Sequence, residues 1–210
     1  LYANHYPTLN TERLAVPAKA TFVTRDGLKE RLYLLLPPNY QQGNSYPLIM
    51  MPHGGPHIRD YADFDLFAQY IASMGYIVAK PNFRGSTGYG KAFEEAAFKD
   101  WGGAMQNDIE DAANFLVKKG FADPKRVCIL GISYGGYAAL MGLVKHSQTY
   151  QCAVSINGPT DLLDLVKSDI SGFIVKKKKE YDPTGRRLSL LEKHCKKYEI
   201  PLVEIPGDLY

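Results

Sequence analysis

Ser133 stands in the run Gly131-Ile132-Ser133-Tyr134-Gly135-Gly136. The apolar stretch Val127 to Leu130 precedes it, and a helix-like stretch beginning near Tyr137 follows. A serine at a strand-to-helix turn, with glycine two residues before and two after, is a G-x-S-x-G motif in the context it requires. The turn is tight, so the flanking positions must be small, and Gly131 and Gly135 meet that need. Gly136 lets the helix and strand approach closely. The chemistry that follows is nucleophilic attack by a hydroxyl, with the helix N-terminus favouring the negative charge that develops. Taken without its context, the same run reads as a glycine-rich turn with an incidental serine.

A second glycine pair, His53-Gly54-Gly55-Pro56, follows the apolar run Pro47 to Met51. Backbone N–H groups freed from a sheet and aimed at one point make an oxyanion hole. One donor is expected on this loop and one on the residue after the nucleophile, the Tyr134 backbone. Alone, the pair reads as a plain strand-to-loop turn.

These residues need a scaffold. Ala20 to Thr24 and Arg31 to Leu36 are strand-like around Asp26-Gly27, a hairpin signal. Phe64 to Met74 reads as a helix stopped by Gly75, and Tyr76 to Ala79 as a short buried strand. Ile109, Ala112, Ala113 and Leu116 recur at helical spacing within 108–119, before Gly120. Arg126 to Leu130 is a strand, Tyr137 to Lys145 a helix, and Cys152 to Ile156 a strand. Apolar strands alternating with helices predict an α/β fold, with a mostly parallel sheet covered on both faces. In such sheets, sites form at the carboxyl ends of the strands, where both motifs fall.

The 210 residues suit one or two domains. Hydrophobic residues make up 45%, charged residues 22% and aromatics 12%, values of a globular chain rather than a disordered or fibrous one. No apolar run approaches eighteen residues, so no membrane span is expected. The chain begins LYANHYPTLN, without Met and without a signal-peptide pattern, and reads as a processed chain or a fragment. A net charge of +3 does not point to nucleic acid. The basic excess lies between Lys176 and Glu199, and the Lys176–Lys179 run reads as a solvated loop. Cys128, Cys152 and Cys195 form no C-x-x-C pair and read as reduced thiols, which suggests a cytoplasmic setting. No metal-ligand cluster, phosphate loop or dinucleotide fingerprint occurs, so neither a metal nor another cofactor is expected.

Several stretches in order resemble the catalytic domain of the prolyl oligopeptidase family of serine peptidases, in particular its acylaminoacyl-peptidase and dipeptidyl-peptidase members. They are RDGLKERLYLLLPPNY, PHGGPHIRDYADF, ASMGYIVAKPNFRGSTGYG, FKDWGGAMQNDIEDAANFLVKKGFADPKRVCILGISYGGYAAL and INGPTDLLDL. The resemblance runs from about Thr21 to Leu165. It implies an α/β-hydrolase fold and hydrolysis of short peptides or acyl-peptides. It carries the nucleophile onto Ser133 and the oxyanion donors onto the Tyr134 backbone and Gly55. Arg84 matches an arginine that shapes the site, with a structural salt bridge as its alternative. On this basis residues 1–18 are a lead-in, and 19–210 are a hydrolase domain incomplete after about 170. A carboxylesterase of the same fold is a further alternative, and oligomers are compatible with the reading.

The resemblance breaks after the elbow. A working triad runs Ser, Asp, His along the chain. Only two histidines follow Ser133, namely His146 at the end of the next helix and His194 in LLEKHCKK. Asp161, Asp164, Asp169, Asp182 and Asp208 lie in no recognisable acid loop. Asp161 and Asp164 match a structural part of the family pattern. The tail LEKHCKKYEIPLVEIPGDLY resembles the last helix and strand of the family but stops before the expected histidine. The expectation is a weak or inactive peptidase, with a non-catalytic relic or interaction module of the same fold as the alternative.

Overall fold

The period of two along the strands sorts their side chains between two cores. Leu32 and Leu34, Leu48 and Met50, Ile77 and Ala79, and Val127 and Ile129 enter the larger core, while Leu35, Ile49, Val78 and Leu130 point to the smaller one. A computed structural model describes residues 14–162 and Leu165. Six strands form one sheet: β1 (Val16–Val23), β2 (Lys29–Leu36), β3 (Tyr46–Met50), β4 (Ile77–Asn82), β5 (Ala122–Ile132) and β6 (Cys152–Ile156). Their order is β1-β2-β4-β3-β5-β6. The β1–β2 and β2–β4 pairings are antiparallel, and the three pairings among β4, β3, β5 and β6 are parallel.

Four helices accompany the sheet: α1 (Leu66–Ser73), α2 (Lys91–Glu95), α3 (Ala104–Lys118) and α4 (Tyr134–Lys145). Asp65 caps α1 by accepting from Ala68 N at 3.0 Å. Ala68, Ile71 and Ala72 of α1 cover one face of the sheet. The expected stripe of α3, Ile109, Ala112, Ala113 and Leu116, is wholly buried on the other face, with Ala138 and Ala139 of α4.

The chain leaves β3 for β4 on one side and returns through α3 to β5 on the other. The strand order therefore reverses between β3 and β5. Crevices at such a reversal, beyond the carboxyl ends of the strands, are where open α/β sheets bind ligands.

Three features differ from the sequence reading. β1 begins at Val16, inside the stretch read as lead-in, because Val16 to Lys19 pair with Tyr33 to Leu36. α2 was not foreseen. The cysteines are corrected: Cys128 and Cys152 are partners in the β5–β6 register, 4.8 Å apart at Cα, and form a disulfide rather than reduced thiols. In-register neighbours bring two Cβ atoms to one side of the sheet within bridging distance, and the thiol argument for a cytoplasmic setting does not hold for this pair. Cys195 lies outside the described residues, as do the Lys176–Lys179 run, His194, Asp164, Asp169, Asp182 and Asp208. Among the described residues, no helix is long and apolar enough to cross a membrane, and no cluster of His, Cys, Asp and Glu could hold a metal ion.

Candidate active site

β5 ends at Ile132 and α4 begins at Tyr134, so Ser133 alone makes the turn. Its φ of 57° and ψ of −121° lie in a region that L-residues rarely adopt. The turn is pinned on both sides, as Ser133 N donates to Ile156 O (3.0 Å) and Ser133 O accepts from Tyr137 N (3.1 Å). The two flanking glycines are required by contact. A Cβ on Gly131 would stand 2.1 Å from Gly135 O, and one on Gly135 would stand 2.2 Å from Pro52 O. Gly136 packs against Ser155 and Gly158, where a Cβ would come within 2.8 Å and 2.9 Å of their atoms.

The loop after β3 lies on this turn. A Cβ on Gly54 would be 3.5 Å from the Ser133 Cβ. Gly55 follows with φ 107°. The Tyr134 N–H is the first of α4 and has no intrahelical acceptor. Its ring is buried against Phe83, Trp101 and Tyr137, with the hydroxyl 3.5 Å from Met105 Sδ. Tyr134 is thus anchored by its side chain, and what it offers the crevice is its backbone.

His53 is a residue whose importance the sequence did not reveal beyond its place in the motif. It is buried, stacked on Phe83 with ring centroids 4.4 Å apart. Its Nδ1 lies 2.7 Å from Gly54 O, an acceptor, so Nδ1 carries the proton. Nε2 lies 2.8 Å from Ser86 Oγ, a hydroxyl that also lies 2.7 Å from Phe83 O. Burial pulls the imidazole down to about 4. His53 is therefore neutral with both nitrogens engaged, a brace between the glycine loop and the loop after β4 rather than a base.

The other described histidines are also occupied. His57 Nδ1 lies 3.2 Å from Gly85 O. His146 is the C-cap of α4, at the opposite end from Ser133, with Nδ1 3.0 Å from Glu110 Oε2. Twelve helical residues separate the two by roughly 18 Å.

Arg84 makes two bonds of 2.7 Å to Asp108, through Nε and Nη2, and one of 2.7 Å to Asp26. Its backbone N donates to Asp108 Oδ2 and Glu30 Oε1, both at 3.1 Å. Burial pushes both carboxyls up, Glu30 further because the Asp108 charge adds to it. The Arg84 bonds favour charge on Asp108, so Glu30 holds the proton. The guanidinium thus ties the β1–β2 turn and α3 to the end of β4, which is the salt-bridge alternative for this residue.

The molecule can be compared with known proteins on this geometry. The model of the prolyl oligopeptidase family matches residues 62–189. Dipeptidyl aminopeptidase BIII of Pseudoxanthomonas mexicana is 37% identical over 168 residues, 77% of this chain and 24% of that protein. Dipeptidyl peptidase family member 6 of Caenorhabditis elegans is 35% identical over 188 residues, 80% of this chain and 25% of that protein. A puromycin-hydrolyzing peptidase of Mycobacterium tuberculosis superposes with a TM-score of 0.71 at 32% identity, covering 76% of this chain and 25% of that one. The chain spans about a quarter of the length of the relatives it matches. An α/β-hydrolase sheet, a serine on a strained turn at its point of reversal and a family match over more than half of the sequence place this chain in the prolyl oligopeptidase family of serine peptidases.

Proposed function

We propose that this chain carries the nucleophile and oxyanion hole of a serine peptidase that acts on short peptides or acyl-peptides. The observation that carries the reading is Ser133 at φ 57°, on the reversal point of the sheet, with Gly54 lying against it and Gly55 next in the chain. Ser133 Oγ attacks the substrate carbonyl and forms an acyl-enzyme. The Tyr134 and Gly55 N–H groups receive the developing oxyanion, aided by the N-terminus of α4. The peptidase names of the relatives support the substrate class.

A base is needed to take the Ser133 proton. Among the described histidines, His53, His57 and His146 are committed elsewhere. The base and its acid therefore come from outside the described residues, and we expect little turnover from this polypeptide alone. That same observation favours a non-catalytic module as the second reading. The test is fluorophosphonate labelling of the folded chain, read by intact mass, with Ser133→Ala as control. Slow labelling confined to Ser133 is the expected result. Rapid labelling with robust hydrolysis of a short aminoacyl substrate overturns the weak-activity reading and turns attention to His194. Complete absence of labelling in a folded sample favours the non-catalytic module.

A further inference from the structure

Five arginines lie among the described residues, and three of them hold carboxylates: Arg25 with Glu110 and Asp111, Arg84 with Asp108 and Asp26, and Arg126 with Asp123. The two with no carboxylate partner among the described residues, Arg31 and Arg59, lie near Tyr89 beyond the carboxyl end of β4. Arg31 pairs in register with Asn82, the last residue of β4. Arg59 lies in the loop after β3, five residues beyond Gly54.

Both guanidiniums rest on built platforms. The Arg59 Cζ is 4.5 Å from the centre of the Tyr61 ring. Its Nη1 also lies over Gly88, 1.9 Å from where a Cβ would stand, so the guanidinium occupies the space a side chain would fill there. Arg31 lies 5.9 Å from the centre of the Tyr89 ring. Buried Asn82 fixes the two platforms to each other. Its Oδ1 accepts from Asp60 N (2.8 Å), its Nδ2 donates to Asp60 O (3.0 Å), and Nδ2 also donates to Tyr89 Oη (2.8 Å). Tyr89 is an acceptor in that bond and keeps its own proton to give. The Arg59 bond to Gly88 O is long, at 3.4 Å, and leaves most of its five donors unused.

Guanidiniums held on aromatic faces with forked donors unspent are suited to a planar, bidentate anion. We propose that Arg31 and Arg59, with the Tyr89 hydroxyl, form a subsite for a carboxylate of the bound peptide. This rests on the peptidase reading above. The end of β4 is two strand spacings from β5, roughly 10 Å, which an extended peptide covers in about three residues. The carboxylate is thus expected two or three residues from the bond attacked, either at the peptide terminus or on an acidic side chain.

The test is calorimetric binding of short peptides to the full chain. One pair differs only in a free C-terminal carboxylate against its amide. A second, amidated pair differs only in Glu against Gln. About tenfold tighter binding of the acidic member of either pair is expected, and that pair identifies the source of the carboxylate. The preference should fall below about twofold in Arg59→Gln and in Arg31→Gln, and return in part in Arg59→Lys. Thermal melts of these variants check that each is folded. Equal binding within both pairs, no measurable binding of any peptide, or an undiminished preference in folded Arg59→Gln overturns the proposal. Ser133→Ala retains the preference, because binding does not need the nucleophile. Failure of the peptidase reading in the labelling experiment is thereby separated from failure of the subsite.

Discussion

The turn after β5 and the loop after β3 face each other across the point where the sheet reverses, but different forces hold them. The turn is held by backbone against backbone. Gly131 touches Gly135, Gly135 touches Pro52, and no side chain could give way. The loop is held by a polar side chain of its own, His53, which reaches Ser86 in the loop after β4, and that second loop is held in turn by Arg84 on Asp108 of α3. Packing of this kind is indifferent to pH and salt, whereas buried polar bonds depend on protonation and on each partner being present. Ser133, the proposed nucleophile, therefore rests on a rigid part of the site, and the glycine loop after β3 on a titratable one.

The strongest challenge to that contrast is Gly135→Val. Its side chain must displace the Pro52 carbonyl, so failure to fold or a loss of more than about 4 kcal/mol is expected in thermal unfolding. A variant within about 1 kcal/mol of the parent would show that the turn has slack and would remove the distinction. Next is Asp108→Ala, which strips Arg84 of two of its three carboxylate bonds in a buried setting. A loss of about 3 to 4 kcal/mol is expected by denaturant unfolding, and a loss under about 1 kcal/mol would mean that the network is ornamental.

The pH dependence sharpens the comparison further. His53 titrates near 6.5 when unfolded and at about 4 when folded. The unfolded chain takes up its proton first as pH falls. The stability His53 contributes is complete above about 6.5 and is lost between there and about 4, by up to about 3 kcal/mol. Subtracting the pH–stability curve of His53→Gln from that of the parent should isolate this slope. A flat difference would place the His53 proton elsewhere. The smallest effect is expected from Glu30→Gln. Glu30 already holds a proton beside Asp108, so the amide is close to isosteric and should change stability by no more than about 0.5 kcal/mol. A large loss would mean that Glu30 is ionised and that Arg84 serves two charges.

Much of the fold could be read from the chain because it is written locally. The apolar runs of β3, β4 and β5, the helical spacing of Ile109 to Leu116 and the Asp26-Gly27 turn each lie within a short window. α2 escaped because five residues are too few to show a period and none is buried. β1 was read as starting too late because Pro17 and Lys19 are poor strand signals, yet the partner strand recruits them.

The candidate site divides in the same way. The strained serine and its flanking glycines were legible because the turn's steric demands fall on positions two residues apart. The sequence by itself also determined that strands and helices alternate and that the serine of the G-x-S-x-G run stands at the carboxyl end of a strand. Only the tertiary structure decided which distant groups meet: Cys128 with Cys152, Arg84 with Asp108, His53 with Ser86, and Arg31 with Tyr89. The physical reason is range. Steric and periodic preferences act between near neighbours and leave a pattern in the chain, whereas disulfides, ion pairs and buried hydrogen bonds depend on strand register and on distances of a few ångströms that exist only once the sheet has formed.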